Sequence, residues 1–307
     1  MHIIYSYILL IFVVIFYAGN ILIGKAINEL PPFTIAFFRV LVAFIVILPI
    51  GILSAWRHRA TFLQYKKPVL IMTLTGVTFF NTFIYGSLQF TTATNVAVLE
   101  TVIPVVTVVL SAWLLRERLR KVQWLGIILS FIGAVWVVMD GRIFQLANID
   151  WNIGDAIMIG AIGTWAIYSI YVKKWIHLLP PYAALFVMTG VSVIVLLPFV
   201  MFEWFIAGVP TLANPSYITG LLYLGVFPSL VALIFYNRAV QQLGASRASV
   251  FLNFLPVFTM VGAYFWLGEV ITSMQIIGAI AVMGGVVLTT QAKQSEGEGK
   301  VAREHAQ

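Results

Sequence analysis

The stretch Ala97–Val138, AVLETVIPVVTVVLSAWLLRERLRKVQWLGIILSFIGAVWVV, has a counterpart at Ser249–Thr290, SVFLNFLPVFTMVGAYFWLGEVITSMQIIGAIAVMGGVVLTT. At an offset of 152 residues, polar, glycine and proline positions coincide. The matched pairs are Pro104 and Pro256, Glu117 and Glu269, Gln123 and Gln275, Gly126 and Gly278, and Gly133 and Gly285. Because these residues keep one register over 42 positions, the chain is interpreted as two related halves.

The composition places both halves in a lipid bilayer. Hydrophobic residues make up 61% of the 307 residues and charged residues 9%, whereas a soluble domain is about 45–50% apolar and about 25% charged. A helix needs about 20 apolar residues to cross the hydrocarbon core. We therefore predict an all-α integral membrane protein with ten transmembrane helices. They are Ile3–Ala26, Pro32–Leu53, Pro68–Leu88, Thr94–Leu115, Val122–Met139, Gly154–Lys173, Tyr182–Phe202, Tyr217–Asn237, Arg247–Leu267 and Ile271–Thr290.

The basic residues predict the orientation of these helices. With a cytoplasmic N-terminus, 15 of the 18 Lys and Arg residues fall in the cytoplasmic loops and tail, only Lys25 and Arg142 fall outside, and Arg39 lies within the second helix. Cytoplasmic loops carry the excess of Lys and Arg in membrane proteins. Both termini are therefore expected in the cytoplasm, and the net charge of +7 is explained by contact with anionic lipid and not by nucleic-acid binding.

The division into halves leads from topology to function. We predict repeat 1 at residues 1–147 (helices 1–5), repeat 2 at 148–292 (helices 6–10), and a disordered cytoplasmic tail at 293–307. Since five is odd, the second half must enter the membrane in the opposite direction. Inverted repeats are the architecture of secondary transporters, whose substrate site lies near the midplane between the halves.

The residues also carry a family resemblance. Pro104 to Glu117 forms a P-x(12)-E ending that recurs from Pro256 to Glu269; each is followed by Q-x-x-G-x(6)-G, and F-Y-A-G-N stands in the first helix. The chain thus resembles the EamA family of the drug/metabolite transporter superfamily over both halves. That resemblance implies a ten-helix inverted-repeat fold in a bacterial inner (plasma) membrane and export of amino acids or related metabolites.

Ionisable residues at membrane depth are costly and each needs an explanation. Glu100 is interpreted as a cavity-facing carboxyl that binds a substrate amine or couples transport to protons, with a neutral or paired structural carboxyl as the alternative. Arg39 is expected to form a structural pair, with Glu100 as one candidate partner. Lys25 is expected to reach the external interface.

Amide and aromatic side chains complete the candidate substrate site. Interhelical hydrogen bonding and core packing are the alternative roles for these residues. An aromatic pocket would suit apolar solutes or an amine held by cation–π contact. The candidate substrate-binding residues are Tyr17, Asn20, Asn81, Tyr85, Glu100, Trp165, Tyr168, Tyr236 and Asn253.

Other functional classes find little support in the sequence. There is no cysteine, no P-loop and no histidine constellation, so we expect no cofactor, metal or enzymatic activity. The expected partners are a small-molecule substrate and the lipid bilayer, with proton coupling as a further hypothesis and either a monomer or a homo-oligomer as the assembly. Uptake or exchange of another solute class, and a receptor or scaffold that does not transport, are the alternatives.

Overall fold

The computed structural model describes residues 2–115, 119–139, 152–243 and 251–304. Helices account for the regular structure of these residues. Glu117, Arg142 and Arg247, which the sequence interpretation used, lie outside the described residues. The main helical segments of the described residues are numbered here α1 to α10 in chain order.

In the first half, α1 is His2–Ala26 and α2 is Pro32–Arg57. The helix α3 consists of Lys66–Met72, a π-helical turn at Thr73–Phe79 and Phe80–Leu88. The helix α4 consists of Ala93–Glu100 and Ile103–Leu115, and α5 is Lys121–Val138. A short helix, Arg59–Gln64, links α2 to α3.

In the second half, α6 is Ile153–Trp175 and α7 is Pro181–Ala207. The helix α8 consists of Pro215–Val226, a π-helical turn at Phe227–Val231 and Ala232–Leu243. The helix α9 consists of Leu255–Gly262 and a π-helical turn at Ala263–Leu267, and it ends at Gly268, whose φ of 67° favours glycine. The helix α10 is Ser273–Glu304.

Length and composition agree with a multi-pass membrane protein. Among the described residues, eight helices, α1 to α8, are long and apolar enough to cross a bilayer, and two shorter apolar helices follow at Leu255–Leu267 and Ser273–Thr289. The helical backbone of α10 differs from the prediction of a disordered tail from residue 293. The tail is rich in Ala, Lys, Gln and Glu, which have high helix propensity, so a helix already formed in α10 can propagate into it.

The helices pack in a regular pattern. α2 packs against α7, α5 against α10, α3 against α6, and α1 against α8. The α5–α10 contact depends on glycine, since a Cβ on Gly126 would lie 2.6 Å from the carbonyl oxygen of Gly285, and one on Gly133 would lie 2.9 Å from that of Gly278. Small residues allow this close backbone approach between membrane helices. The order of the contacts also shows that α5 and α10 run antiparallel.

Candidate functional site

A cavity of about 250 Å³ lies among helices of both halves. Residues of α1, α2, α3 and α4 line one part of it, and residues of α6, α7, α8 and the start of α9 line the other. The predicted site residues on its wall are Tyr17, Asn20, Arg39, Asn81, Glu100, Trp165, Tyr168 and Asn253. Two other candidates are placed differently: Tyr85 is fully buried behind the wall, and Tyr236 packs beside the cluster of Leu10 and Ala239.

Within the described residues, Arg39 is the cationic group of the cavity wall, and it is held by neutral partners. Its Nε donates to Ser229 Oγ at 2.9 Å, and its Nη1 donates to Asn81 Oδ1 and, at 2.8 Å, to the Tyr85 hydroxyl. The Tyr85 hydroxyl in turn donates to Asn20 Oδ1 at 2.9 Å. Arg39 is 7% exposed, so these bonds fix a buried guanidinium within a network that spans α1, α2, α3 and α8.

The network leaves part of the guanidinium available. An arginine carries five N–H donors, of which two belong to Nη2. Within the described residues, the hydrogen bonds of Arg39 use Nε and Nη1, and none uses Nη2. Within the described residues, the hydrogen-bond partners of Arg39 are thus neutral side chains, and Arg39 retains a donor pair that can bind an anionic group in the cavity.

Glu100 lies where proline interrupts α4. Pro104 has no N–H to donate to the carbonyl of Glu100, and its ring excludes the regular helical path there. Thr101 and Val102 instead donate their N–H groups to Val98 and Leu99 in tighter turns, and the helix restarts at Ile103. Glu100, at this break, is one of the residues that line the cavity.

The Glu100 carboxyl has an unpartnered oxygen. Its Oε2 is buried and has no hydrogen-bond partner among the described residues. A buried polar atom without a partner costs about 1–3 kcal/mol, and a charged one costs more. Because Oε2 is out of reach of solvent, a ligand in the cavity would contact the remainder of the Glu100 side chain.

An aromatic wall lies on the α3 and α6 side of the cavity. The rings of Phe80 and Trp165 have centroids 4.2 Å apart, and those of Trp165 and Tyr168 are 4.9 Å apart. Gly76 leaves room for Tyr168, since a Cβ there would lie 2.3 Å from its ring. The cavity therefore combines two polar residues of opposite charge with an apolar aromatic surface, as solute sites commonly do.

The two π-helical turns of α3 and α8 also contribute to the wall, and they were not predicted from the sequence. Gly76 and Val77 come from the turn in α3, and Pro228 and Ser229 from the turn in α8. At the offset of 152 residues, Phe227–Val231 aligns with the end of Thr73–Phe79. This match and the proline at position 228 were the features of the sequence that could have indicated irregular helical turns at both places. Such turns are frequent at functional sites.

Carboxylates cap two helix N-termini away from the cavity. Glu203 accepts hydrogen bonds from the backbone N–H groups of Phe33 and Thr34 at 3.1 and 2.8 Å. Glu269 accepts from those of Ala93 and Thr94 at 2.7 and 3.2 Å. An acidic group at a helix N-terminus satisfies free N–H groups and interacts favourably with the helix dipole. These two glutamates therefore stabilise the N-terminal ends of α2 and α4.

Lys25 is likewise occupied in a helix-end contact. Its Nζ donates to the carbonyl oxygens of Leu88 and Thr91 at 2.8 and 2.9 Å, at the C-terminal end of α3. Within the described residues, no group of three or more His, Cys, Asp or Glu side chains could hold a metal ion.

Comparison with known proteins gives the same general result. The EamA-like transporter family profile matches residues 4–139 and 152–291. A protein of Archaeoglobus fulgidus named an uncharacterized transporter is 28% identical over 95% of this chain and 99% of its own. The uncharacterized transporter YetK of Bacillus subtilis is 27% identical, over 90% and 84%.

The fold itself also has a solved counterpart. A crystal structure that is 15% identical in sequence superposes with a TM-score of 0.62, over 94% of this chain and 98% of the other. At that identity the likeness concerns the fold alone. The family profile matches this chain in two successive segments.

Proposed function

Because this chain belongs to the EamA-like transporter family, and is accordingly a membrane transporter and not an enzyme, we propose that it is a secondary exporter of amino acids or related small metabolites. The observation that carries this proposal is the cavity between the halves, which presents Arg39 and Glu100 together with an aromatic surface. Amino acids carry an anionic and a cationic group on one small solute. The donor pair on Arg39 Nη2 suits the carboxylate, and Phe80 and Trp165 suit an apolar side chain.

The transport cycle is proposed to rest on ten transmembrane helices in two inverted five-helix repeats. The helix contacts support this arrangement. In the repeat, Gly126 is equivalent to Gly278 and Gly133 is equivalent to Gly285. In space the pairing is crossed, since Gly126 lies against Gly285 and Gly133 lies against Gly278. A two-fold axis in the membrane plane that relates α5 to α10 would produce these crossed contacts between antiparallel helices.

Alternating access follows from the proposed symmetry. Rocking one repeat against the other would expose the cavity first to one side of the membrane and then to the other. The driving force is the solute gradient, or a proton gradient coupled through the carboxyl of Glu100. The distribution of Lys and Arg supports both termini in the cytoplasm, and we place the protein in the bacterial plasma membrane.

Exchange of phosphorylated or nucleotide-linked sugars is less well supported by the site. Such anionic solutes would need several cationic groups in the cavity. Arg39 is the one that lines it within the described residues, and Lys25 is held by the end of α3. The charge of the cavity therefore favours a solute with balanced charges.

The proposal is tested in two steps with purified protein. A thermal-shift screen against amino acids, nucleosides and cationic drugs identifies ligands, since a ligand that binds the folded state raises its apparent stability. Counterflow of the labelled ligand into proteoliposomes then tests transport. We expect amino acids to stabilise the protein and to accumulate transiently. Binding without counterflow would favour a receptor or scaffold instead, and transport of nucleosides alone would contradict the proposed substrate class.

A further inference from the structure

Two groups of three helices face each other across the cavity. In one group α6 packs against α3 and α4, and in the other α1 packs against α8 and α9. In the proposed repeat α1 corresponds to α6, α3 to α8 and α4 to α9, so each group combines one helix of one half with two of the other half. We call them the α3–α4–α6 group and the α1–α8–α9 group.

The main contacts between the two groups lie toward the end where α3 finishes and α4 begins. There Ala93–Glu100 of α4 packs against α1 and against Leu255–Gly262 of α9, and Phe80–Leu88 of α3 packs against α1. Toward the opposite end, among the described residues, Lys66–Met72 of α3 and Ile103–Leu115 of α4 make no comparable contact with α1, α8 or α9. The proposed topology places the joined end on the external side of the membrane.

Two charged side chains join the groups at this end. The ammonium of Lys25, at the end of α1, donates to the carbonyl oxygens of Leu88 and Thr91, where α3 ends. The carboxylate of Glu269, beside the end of α9, accepts from two backbone N–H groups in the first turn of α4. A positive charge thus lies at a helix C-terminus and a negative charge at a helix N-terminus, and the helix dipole favours both positions.

The third helix-end charge, Glu203, makes a different kind of connection. It caps α2 from α7, and these two helices are in contact along their length. Toward their external ends the rings of Phe33 and Phe199 stack with centroids 5.3 Å apart. Toward their cytoplasmic ends a Cβ on Gly51 would lie 2.4 Å from the Cβ of Phe186. The Glu203 contact therefore lies within one packed pair and does not need to break for the cavity to open.

We propose that Lys25 and Glu269 form the external gate of the transporter. They hold the link between α3 and α4 against α1 and α9 while the external side is closed, and they release it when the two groups part there. Both side chains are half-buried, so their hydration on release offsets part of the lost interaction and the step stays reversible. This inference rests on the proposed function and adds to it the contacts that must break for the cavity to open outside.

The test measures how often position 21 becomes accessible from outside. Ile21 is fully buried, and it lies one helical turn beyond Tyr17 of the cavity wall, toward the external end of α1. Because the chain has no cysteine, Ile21→Cys introduces a single thiol into the full-length protein. A membrane-impermeant thiol reagent, added to the outside of right-side-out vesicles, should label this thiol only when the external end opens.

Removing either charge should favour the externally open state. Combined with Ile21→Cys, Lys25→Met and Glu269→Gln should each raise the initial rate of labelling from outside by about fivefold. That factor corresponds to about 1 kcal/mol, since 1.4 kcal/mol is a tenfold change in an equilibrium, and it is the upper end of what one charge contributes at an exposed helix terminus. Each variant tests the gate by itself, so one of them suffices if the other does not fold.

Three controls separate gate opening from general loosening. Glu203→Gln removes the same kind of charge from the cap within the α2–α7 pair and should leave the labelling rate at position 21 unchanged. Leu196→Cys, at a fully buried position of α7, should stay unlabelled in both gate variants. Leu233→Cys, on the cavity wall, should not be labelled faster from the cytoplasmic side in these variants, because external opening does not add to the population that faces the cytoplasm.

The outcomes separate this inference from the proposed function. An unchanged labelling rate at position 21 in both gate variants would overturn the gate, and so would an equal rise in Glu203→Gln or labelling of Leu196→Cys. Counterflow of the screened solute by the wild-type protein would then still support a transporter. Absence of counterflow for every solute, with the expected labelling in the gate variants, would instead count against the proposed function and leave the gated opening in place.

Discussion

The hydroxyl of Tyr85 links Arg39 to Asn20 and allows the network to be tested by removing one atom. Tyr85 is fully buried, and its hydroxyl accepts from Arg39 Nη1 at 2.8 Å and donates to Asn20 Oδ1 at 2.9 Å. Tyr85→Phe removes both bonds and keeps the ring, which packs against Gly24.

The magnitude follows from the two bonds. A bond to a charged group contributes about 1.5–3 kcal/mol in proteins and a neutral one about 0.5–1.5 kcal/mol, while bonds within membranes average about 0.6 kcal/mol. Arg39 retains Asn81 and Ser229 as partners. We therefore expect Tyr85→Phe to lower the free energy of unfolding by about 2 kcal/mol.

Solute binding should weaken as well, because Arg39 is held less firmly. If the looser orientation of Arg39 costs about 1 kcal/mol of the solute's binding free energy, the affinity falls about fivefold, since 1.4 kcal/mol corresponds to a tenfold change in affinity. The assay is denaturant unfolding in one detergent, followed by titration of the ligand found by thermal shift. Tyr217→Phe is the matched control, because it removes a hydroxyl bonded to Glu29 at an exposed position and should change neither quantity. Wild-type stability and affinity in Tyr85→Phe would refute the proposed role of the network.

Other contacts give further predictions. Glu269→Gln keeps an acceptor for the N–H groups at the start of α4 but removes the charge, so the unfolding free energy should fall by about 0.5–1 kcal/mol; an unchanged value, measured at low salt, would contradict the cap. Gly285→Val would place Cβ about 2.5 Å from the carbonyl oxygen of Gly126. It should therefore separate α5 from α10 and lower the unfolding temperature measured in detergent. The control Gly163→Val, at a site with open space, should not lower that temperature. Glu100→Gln should abolish any dependence of transport on a pH gradient in sealed vesicles; a dependence that survives unchanged would exclude this carboxyl from proton coupling.

Features with a local cause could be predicted from the sequence. The lengths of apolar stretches predict the helices, because the bilayer sets the length of a spanning segment. Pro104 predicts the break beside Glu100, because proline lacks the N–H that a continuous helix needs. The glycines that match in the repeat, Gly126 with Gly278 and Gly133 with Gly285, mark a close helix contact, although their sequence positions do not show which helices meet.

Features that depend on distant partners could not be predicted in this way. Glu203 caps α2 from about 170 positions away along the chain, and no motif marks that pairing. Arg39 was expected to pair with a carboxylate, yet a buried guanidinium can be satisfied equally by neutral oxygens brought by α3 and α8. Tyr85 was taken for a wall residue, because a helical pattern alone does not distinguish a side chain on the cavity wall from one just behind it.

The most direct test of alternating access uses the natural absence of cysteine from the chain. Leu233→Cys places a single thiol on the cavity wall, and a membrane-impermeant thiol reagent is added to one side of oriented vesicles at a time. Leu196→Cys, at a fully buried position, is the unreactive control. The proposal predicts labelling of residue 233 from both sides, with both rates changed by the transported solute. Labelling from one side only, with and without solute, would contradict it.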